Sequence, residues 1–369
     1  RKERTGGRPG PMTADWKNYS TGGVYDELLT PFGQSRQGAD KVVQYLRTLN
    51  EAEIQQRREA ASVAMQMMGI TFTVYQGDEG IDRVWPFDII PRIIPASEWR
   101  HTDAGLKQRV QALNMFIADV YDRQQIIRDG VFPREVLDQS TNFRAECVGI
   151  KPRFGVWAHI CGSDLLRDSE NPMYVLEDNL RVPSGVSYML ENRVVTKQVF
   201  PELFASSEIH SVGDYTSDLF DMLASLSPRP SDYPEVVVLT PGIYNSAYFE
   251  HAYLAQGMGV ELVEGQDLVV ADGYVHMLTT KGLKRVDVLY RRIDDDFIDP
   301  EVFRPDSMLG VKGLIGVYKS GRLALANAPG TGIADDKVIY AYVPKIIAYY
   351  TGEDPILPNV PTYICRDDD

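Results

Sequence analysis

Cysteine is scarce in this chain. Cys147, Cys161 and Cys365 are the three cysteines among 369 residues, too few and too odd in number for a disulfide framework. A reducing compartment suits such a chain, and a cytoplasmic location is the expectation. His159 and Cys161 fall near Cys147, but no C-x-x-C pair accompanies them, so a zinc site is not expected. Positive charge is also short: 38 Lys and Arg stand against 52 Asp and Glu, for a formal net charge of −14. A nucleic-acid partner needs clustered cations to neutralise phosphates, and the balance argues against that class. A small nucleotide held by a few local cations or a metal stays open, and an acidic surface otherwise favours solubility. No apolar run reaches the roughly 18 residues that cross a bilayer, so no membrane partner is expected. No signal-peptide pattern opens the sequence. The P-loop string, the G-x-S-x-G elbow and internal repeats are missing too, which leaves P-loop and serine-hydrolase chemistry without support.

What is present is an ordinary globular composition, 44% hydrophobic and 24% charged, in a length suited to two or three domains. The Gly-, Pro- and Arg-rich opening reads as an arm over 1–24, outside the fold. Residues 38–68 and 97–121 have helical patterns. Ser97 is a plausible N-cap for the second, and Leu106, Val110, Leu113, Ile117 and Tyr121 form its apolar stripe. Residues 70–75 alternate as a strand, closed by a turn at 76–80. Residues 156–160 and 173–177 read as the strands of a hairpin around a polar turn at 167–172. Ser227-Pro-Arg-Pro-Ser-Asp-Tyr-Pro234 is the clearest linker. Beyond it, strand and helix patterns alternate: apolar runs at 236–240, 260–263, 268–271, 286–290 and 323–326, with helices at 248–258 and 337–350. That order predicts a Rossmann-like α/β domain over 235–360.

The chemistry concentrates around the hairpin. Glu177 and Asn179 lie two residues apart at the end of one strand and therefore share a face. Asp164, on the neighbouring strand, can meet them there. Two carboxylates and an amide oxygen suit Mg²⁺; the same residues also fit a solvated hairpin end. Arg291 and Arg292 close a strand where α/β sites form. They read equally as anchors for a substrate carboxylate and as a surface ion pair. His251 reads as a structural or a substrate-touching histidine, and Gly330-Thr-Gly332 with Asp335-Asp-Lys337 as a turn and cap or an anion seat.

Five strings carry a resemblance. They are Tyr174-Val-Leu-Glu-Asp-Asn-Leu-Arg-Val-Pro-Ser-Gly185 with its continuation to Asn192, Phe87-Asp-Ile-Ile-Pro-Arg-Ile-Ile-Pro95, Leu239-Thr-Pro-Gly-Ile-Tyr-Asn-Ser-Ala-Tyr-Phe-Glu-His251, Tyr290-Arg-Arg-Ile-Asp-Asp295 and Ala326-Asn-Ala-Pro-Gly-Thr-Gly-Ile-Ala-Asp-Asp-Lys337. The chain resembles the circularly permuted ATP-grasp family, whose members are often likened to glutathionylspermidine synthetase. The resemblance implies an α/β protein with N-terminal helices and a metal-binding ATP-grasp subdomain over 25–230, a Rossmann-like substrate domain over 235–360, and over 361–369 the start of a linker to a C-terminal lid that is missing from this chain. It implies ATP as cosubstrate and Mg²⁺ or Mn²⁺ held by Asp164, Glu177 and Asn179. It implies ligation of a small-molecule or peptide carboxylate to an amine through an acylphosphate. The Pro/Ser loop after the Glu-x-Asn pattern adds Ser184 and Ser187 as substrate-binding residues beside Arg291 and Arg292. The synthetase has an arginine two residues before its acid; Gly162 stands there in this sequence, and Arg181 is the substitute for the transition-state cation. The residues that hold the nucleotide are not assigned. The alternative is a non-catalytic ATP-grasp-like protein that binds a peptide or protein partner.

Overall fold

The computed structural model describes residues 19–76, 79–168, 173–230 and 233–365, with the side chains of 71–84 outside the description. Most of the expected arm, residues 77–78 of the turn at 76–80, residues 169–172 of the turn at 167–172, the centre of the linker and residues 366–369 lie outside the described residues.

Helices α1 (Asp40–Thr48) and α2 (Glu51–Met67) open the fold. Asn50 and Glu53 form a reciprocal capping box at the start of α2, satisfying two backbone donors that a helix end otherwise leaves bare. The hairpin β1 (Thr71–Gln76) and β2 (Glu79–Val84) follows. Helix α3 (Ala96–Val120) is the longest, and two short helices, α4 (Gln125–Arg128) and α5 (Arg134–Gln139), return the chain. Pro95, not Ser97, stands at the N-cap of α3, with no side-chain cap. A proline just ahead of the first turn has no N–H to leave unpaired.

A second antiparallel hairpin, β3 (Gly162–Leu166) and β4 (Tyr174–Asn179), forms its own two-stranded sheet. The expected strand at 156–160 is not one. There, side-chain amides replace a strand ladder. Asn114 Oδ1 accepts from the Trp157 and Ala158 amides at 2.9 Å each, and Asn327 Oδ1 accepts from those of His159 and Ile160 at 2.7 and 3.0 Å. Helices α6 (Val186–Val199), α7 (Pro201–Ser206) and α8 (Tyr215–Ser225) lead to the linker.

After it come β5 (Val236–Leu239), α9 (Tyr248–Met258) and β6 (Glu261–Val263). The meander β7 (Leu268–Ala271), β8 (Tyr274–Thr279) and β9 (Gly282–Arg285) is antiparallel and separate; the run at 268–271, expected as a Rossmann strand, belongs to it. Next are β10 (Val288–Arg291), α10 (Asp295–Ile298), α11 (Leu314–Lys319), β11 (Ala324–Ala326) and α12 (Lys337–Thr351). The main sheet has the order β11-β10-β5-β6, parallel throughout.

Both faces of this sheet are covered, which is why its strands read as unbroken apolar runs. Val237, Leu239, Leu289 and Leu325 face a core shared with α3 and α12, including Phe116, Ile117, Val343 and Ile346. Val236, Val238, Val288, Tyr290, Ala324 and Ala326 face α8 and α9. The period-2 alternation of a strand sorts the two sets without exception. Helix α3, from the first half of the chain, thus shares one continuous core with the sheet after the linker. A further cluster joins α1, α2, α6 and α7 through Leu46, Met65, Val195, Val199 and Leu203. No helix among the described residues is long and apolar enough to cross a membrane.

Candidate metal and substrate site

The geometry of the hairpin is fixed from behind. Asp178, between Glu177 and Asn179, turns inward on the opposite face and is buried. Arg109 of α3 meets it there: Nε lies 2.9 and 2.7 Å from the two carboxylate oxygens and Nη2 lies 2.7 Å from Oδ2, with both side chains 1% exposed. Ser163 Oγ donates to Asp178 Oδ1 at 2.8 Å, and Arg109 Nη1 donates to Asn359 Oδ1 at 2.8 Å. A buried charge pair is favoured when its other polar atoms are also met; here Ser163 and Asn359 meet two of them, while Arg109 Nη2 touches Asp178 as an ion pair without a hydrogen bond. With Asp178 held inward, strand alternation puts Glu177 and Asn179 on the other face.

Asp164 pairs directly with Glu177, and Gly162 with Asn179, before a register shift after Asp164. The structure therefore brings the three expected ligands together. Partial burial first, and the Glu177 charge second, push the Asp164 carboxyl above its ordinary value. The Lys337 ammonium, hydrogen-bonded to Glu177 Oε2, holds Glu177 below its own, with Asn179 and Asp164 also bonding to it. Two facing carboxylates that draw in a cation, beside an amide oxygen, fit a hard divalent ion with an open shell for water and phosphate oxygens. No group of three His, Cys, Asp or Glu side chains among the described residues is placed to hold a metal ion, and this seat has two carboxylates and one amide. Burial pushes the Cys161 thiol up to about 12 and His159 down to about 4, so neither is tuned as a thiolate or cationic group. At Gly162, where the synthetase has arginine, an added Cβ would lie 3.2 Å from Pro183 Cβ. Close packing of the 180–185 loop accounts for glycine.

That loop joins the hairpin to a second feature. Leu180 N donates to Asp335 Oδ1 at 2.6 Å, and the Leu180 carbonyl accepts from Asn327 Nδ2 at 2.7 Å. Asn327 follows β11, so one amide ties the end of β4 and the 159–160 segment to the parallel sheet. Arg181 Nε sits 3.3 Å from Asp294 Oδ1 and 3.8 Å from Asp335 Oδ2, which places this cation beside the ligand strand and against two acids.

The loop then borders a cleft of about 270 Å³ whose walls include Ser184, Pro241, Asn245, His251, Arg292 and Asp294. It lies beyond the carboxyl ends of β5 and β10, where ligands of open α/β sheets bind. Arg292 is buried; Nη2 donates to Pro183 O and Ser184 Oγ at 2.6 Å each and lies 3.5 Å from the buried Glu250 Oε1, Nη1 donates to Tyr290 OH at 3.2 Å, and Nε has no hydrogen-bond partner. His251 is neutral: burial first, then the Arg292 charge, lower it to about 3. Thr240 Oγ1 accepts from Gly242 N at 3.2 Å and lies 2.8 Å from His251 Nδ1.

Two expected substrate residues serve the framework instead. Arg291 is fully buried; its guanidinium donates to Asn327 O, Ile293 O and Ala328 O at 2.7, 2.9 and 3.0 Å and pairs with Asp295 at 2.7 Å. Ser187 is fully buried, and its amide and hydroxyl donate to Glu250 Oε2 at 3.0 and 2.8 Å, together with the Gly185 amide at 2.8 Å. Glu250, from α9, thereby caps the N-terminus of α6. The Gly330–Asp336 segment is likewise a turn and cap: Gly330 N donates to Asp295 Oδ2 at 2.9 Å and Asp336 Oδ1 caps α12 through Val338 N at 3.0 Å.

Asp335 gives a pH test of the loop. Burial foremost raises it to about 6, against the two backbone amides and Arg181 that favour its charge. Its unfolded value is near 3.9. The folded state thus holds the proton more tightly, and this contribution is full below about pH 4 and is lost as pH rises through about 6. The Asp335→Asn chain keeps an acceptor for Leu180 without the charge. Its stability relative to the parent is expected to rise between pH 4 and pH 8 by at most about 3 kcal/mol. Melting temperatures at the two pH values check this; a constant difference would contradict it.

Comparison with known proteins agrees with this architecture. Residues 91–369 match the model of the circularly permuted ATP-grasp type 2 family. An uncharacterized protein of Synechocystis sp. is 57% identical over 354 residues, covering 96% of this chain and 74% of that protein. A Frankia alni protein provisionally named a glutamate–cysteine ligase is 41% identical over 345 residues, covering 93% of this chain and 40% of its own length. The chain spans 64% of a Mycobacterium bovis relative. Among solved structures, the apo form of a glutathione synthetase-like effector from Globodera pallida superimposes with a TM-score of 0.52 at 11% identity, over 89% of this chain and 70% of that one. That likeness concerns the fold alone. With a family match over most of its length and close relatives on the same span, the chain belongs to the circularly permuted ATP-grasp type 2 family.

Proposed function

We propose that the full-length protein is an ATP-dependent ligase that joins a carboxylate to an amine through an acylphosphate. The observation that carries this reading is the shared outward face of Asp164, Glu177 and Asn179, set by the buried Arg109–Asp178 pair behind it. Mg²⁺ or Mn²⁺ bound there would neutralise phosphate charge and act as a Lewis acid. Asp164 and Glu177 supply the compensating negative charge, and Asn179 adds a neutral oxygen. Arg181, three-tenths exposed and next to this strand, is the cation proposed for the phosphoryl group in flight. The acid substrate lies in the neighbouring cleft, its carboxylate end toward Arg292 and Ser184. A small-molecule or peptide carboxylate and an amine are the reactants. The family membership and the ligase name of the Frankia relative support the reaction class.

The test is ADP formation by the full-length protein with Mg²⁺ and panels of carboxylates and amines. Turnover should require both reactants, and one ¹⁸O from a labelled carboxylate should appear in the released phosphate. Nucleotide binding without acid- and amine-dependent turnover would assign the protein to binding instead. Within that assay, Arg292→Lys loses the planar guanidinium whose Nη2 holds Pro183 O and Ser184 Oγ while Nη1 holds Tyr290 OH. The expected result is a KM for the acid raised about tenfold with kcat nearly unchanged. Unchanged kinetics with a lowered melting temperature would make Arg292 a framework residue.

A further inference from the structure

Lys337 is the first residue of α12, and three consecutive charged side chains at that helix start are directed to three different places. Asp335 bonds the Leu180 amide at the end of β4. Asp336 caps its own helix and accepts from Ser140 Oγ at 2.8 Å. Lys337 reaches Glu177 Oε2 across 160 residues of sequence. The helix behind it is anchored by Ile339, Val343, Ile346 and Ile347 in the main core. Its backbone position is therefore set by the fold, while its side chain is 66% exposed and free to change partners. As a source of stability, an exposed pair of this kind contributes little. Its electrical position is another matter, since it sits on one of two facing carboxylates that otherwise repel.

From this geometry we infer that Lys337 is a resident counter-cation of the metal seat: it neutralises Glu177 before loading, yields that oxygen to the divalent ion, and then turns its ammonium to the phosphates the ion brings. The inference rests on the metal reading of the hairpin. It follows from three features. A divalent ion and an ammonium on the same carboxylate oxygen repel each other, so loading the one drives the other off. The displaced ammonium remains tethered at the mouth of the same site by a fixed helix start. The ligand that arrives with the ion is an anionic phosphate chain, for which a mobile lysine is a suitable point charge. The lysine therefore acts against empty-handed metal binding and in favour of the metal–nucleotide complex, a preference for the loaded pair over the free ion.

The experiment is titration of the full-length protein with Mn²⁺, followed by the paramagnetic signal of free Mn²⁺, first without nucleotide and then with a nonhydrolysable ATP analogue. Lys337→Met removes the competitor. Nucleotide-free Mn²⁺ affinity should rise about tenfold, and the gain in Mn²⁺ affinity that the analogue confers should shrink by about as much or more. Lys337→Arg keeps the charge and should retain weak nucleotide-free binding. A Lys337→Met chain that melts like the parent but binds Mn²⁺ no more tightly overturns the proposal. Glu177→Gln is the control that separates the two readings. If Glu177→Gln weakens Mn²⁺ binding and Lys337→Met leaves it unchanged, the metal seat stands and the lysine proposal falls. If Glu177→Gln leaves Mn²⁺ binding unchanged, the metal reading itself falls, and the lysine proposal with it.

Discussion

Glu177→Gln in the full-length protein is expected to lower ATP turnover by about a thousandfold or more while the chain melts at or slightly above the parent temperature. The substitution keeps the shape of the side chain and an oxygen facing Asn179. It removes one of the two charges that would hold the ion. A thousandfold loss corresponds to about 4 kcal/mol of transition-state stabilisation, the order expected when a metal loses a charged ligand. Stability should not follow. Glu177 is partly exposed, and its pair with Lys337 is a surface pair, so its loss costs little. Relief of the repulsion on Asp164 acts in the opposite direction. Normal ATP consumption by this variant would end the assignment of these residues to the reaction.

Arg109→Met is expected to be the most destabilising single change. It leaves Asp178 ionised and 1% exposed with only Ser163 as its remaining side-chain partner. Removing one partner of a buried pair costs about 3–5 kcal/mol, because the other charge stays uncompensated. Asp178→Leu introduced into the same chain removes that stranded charge, and Arg109→Met/Asp178→Leu should recover more than half of the loss. Urea midpoints at constant m-value measure both steps. A loss below about 1 kcal/mol for Arg109→Met would show that the pair does not set the hairpin as described.

The parallel strands were legible because their chemistry is local. Four buried residues in a row at 236–239 fit a strand covered on both faces. The Glu177-x-Asn179 spacing was legible for the same reason, since alternation alone puts the two on one face. Features that depend on distant partners were not. The apolar stripe of α3 holds at Leu113, Ile117 and Tyr121, which are buried, but Leu106 and Val110 are only half-buried, and the inward face also takes in Thr102, Gly105, Arg109, Ala112 and Phe116. A buried arginine cannot be recognised without Asp178, 69 residues away. Residues 156–160 have the apolar composition of a strand, but four of their amides are met by the side-chain amides of Asn114 and Asn327, which no local pattern announces. The run at 268–271 has the composition of a sheet strand and pairs in the local meander instead. The strand-end arginines illustrate the limit most sharply. Adjacent in sequence, alike in chemistry and both buried, Arg291 is closed into backbone carbonyls and Asp295, while Arg292 pairs with Glu250 and lies against the cleft, because successive strand residues face opposite ways. Lys337 was visible only as part of a turn and cap or an anion seat at a helix start; its partner Glu177 lies in β4, 160 residues away.

The most direct test of the metal seat is a crystal of the full-length protein grown with Mn²⁺ and a nonhydrolysable ATP analogue, with diffraction recorded at the manganese absorption edge. The account predicts an anomalous peak at the mouth of the hairpin, about 2.2 Å from side-chain oxygens of Glu177 and Asn179, with Asp164 on the same ion or on its waters and Lys337 withdrawn from Glu177. Bound nucleotide with manganese elsewhere, or with Glu177 still paired to Lys337, would contradict it.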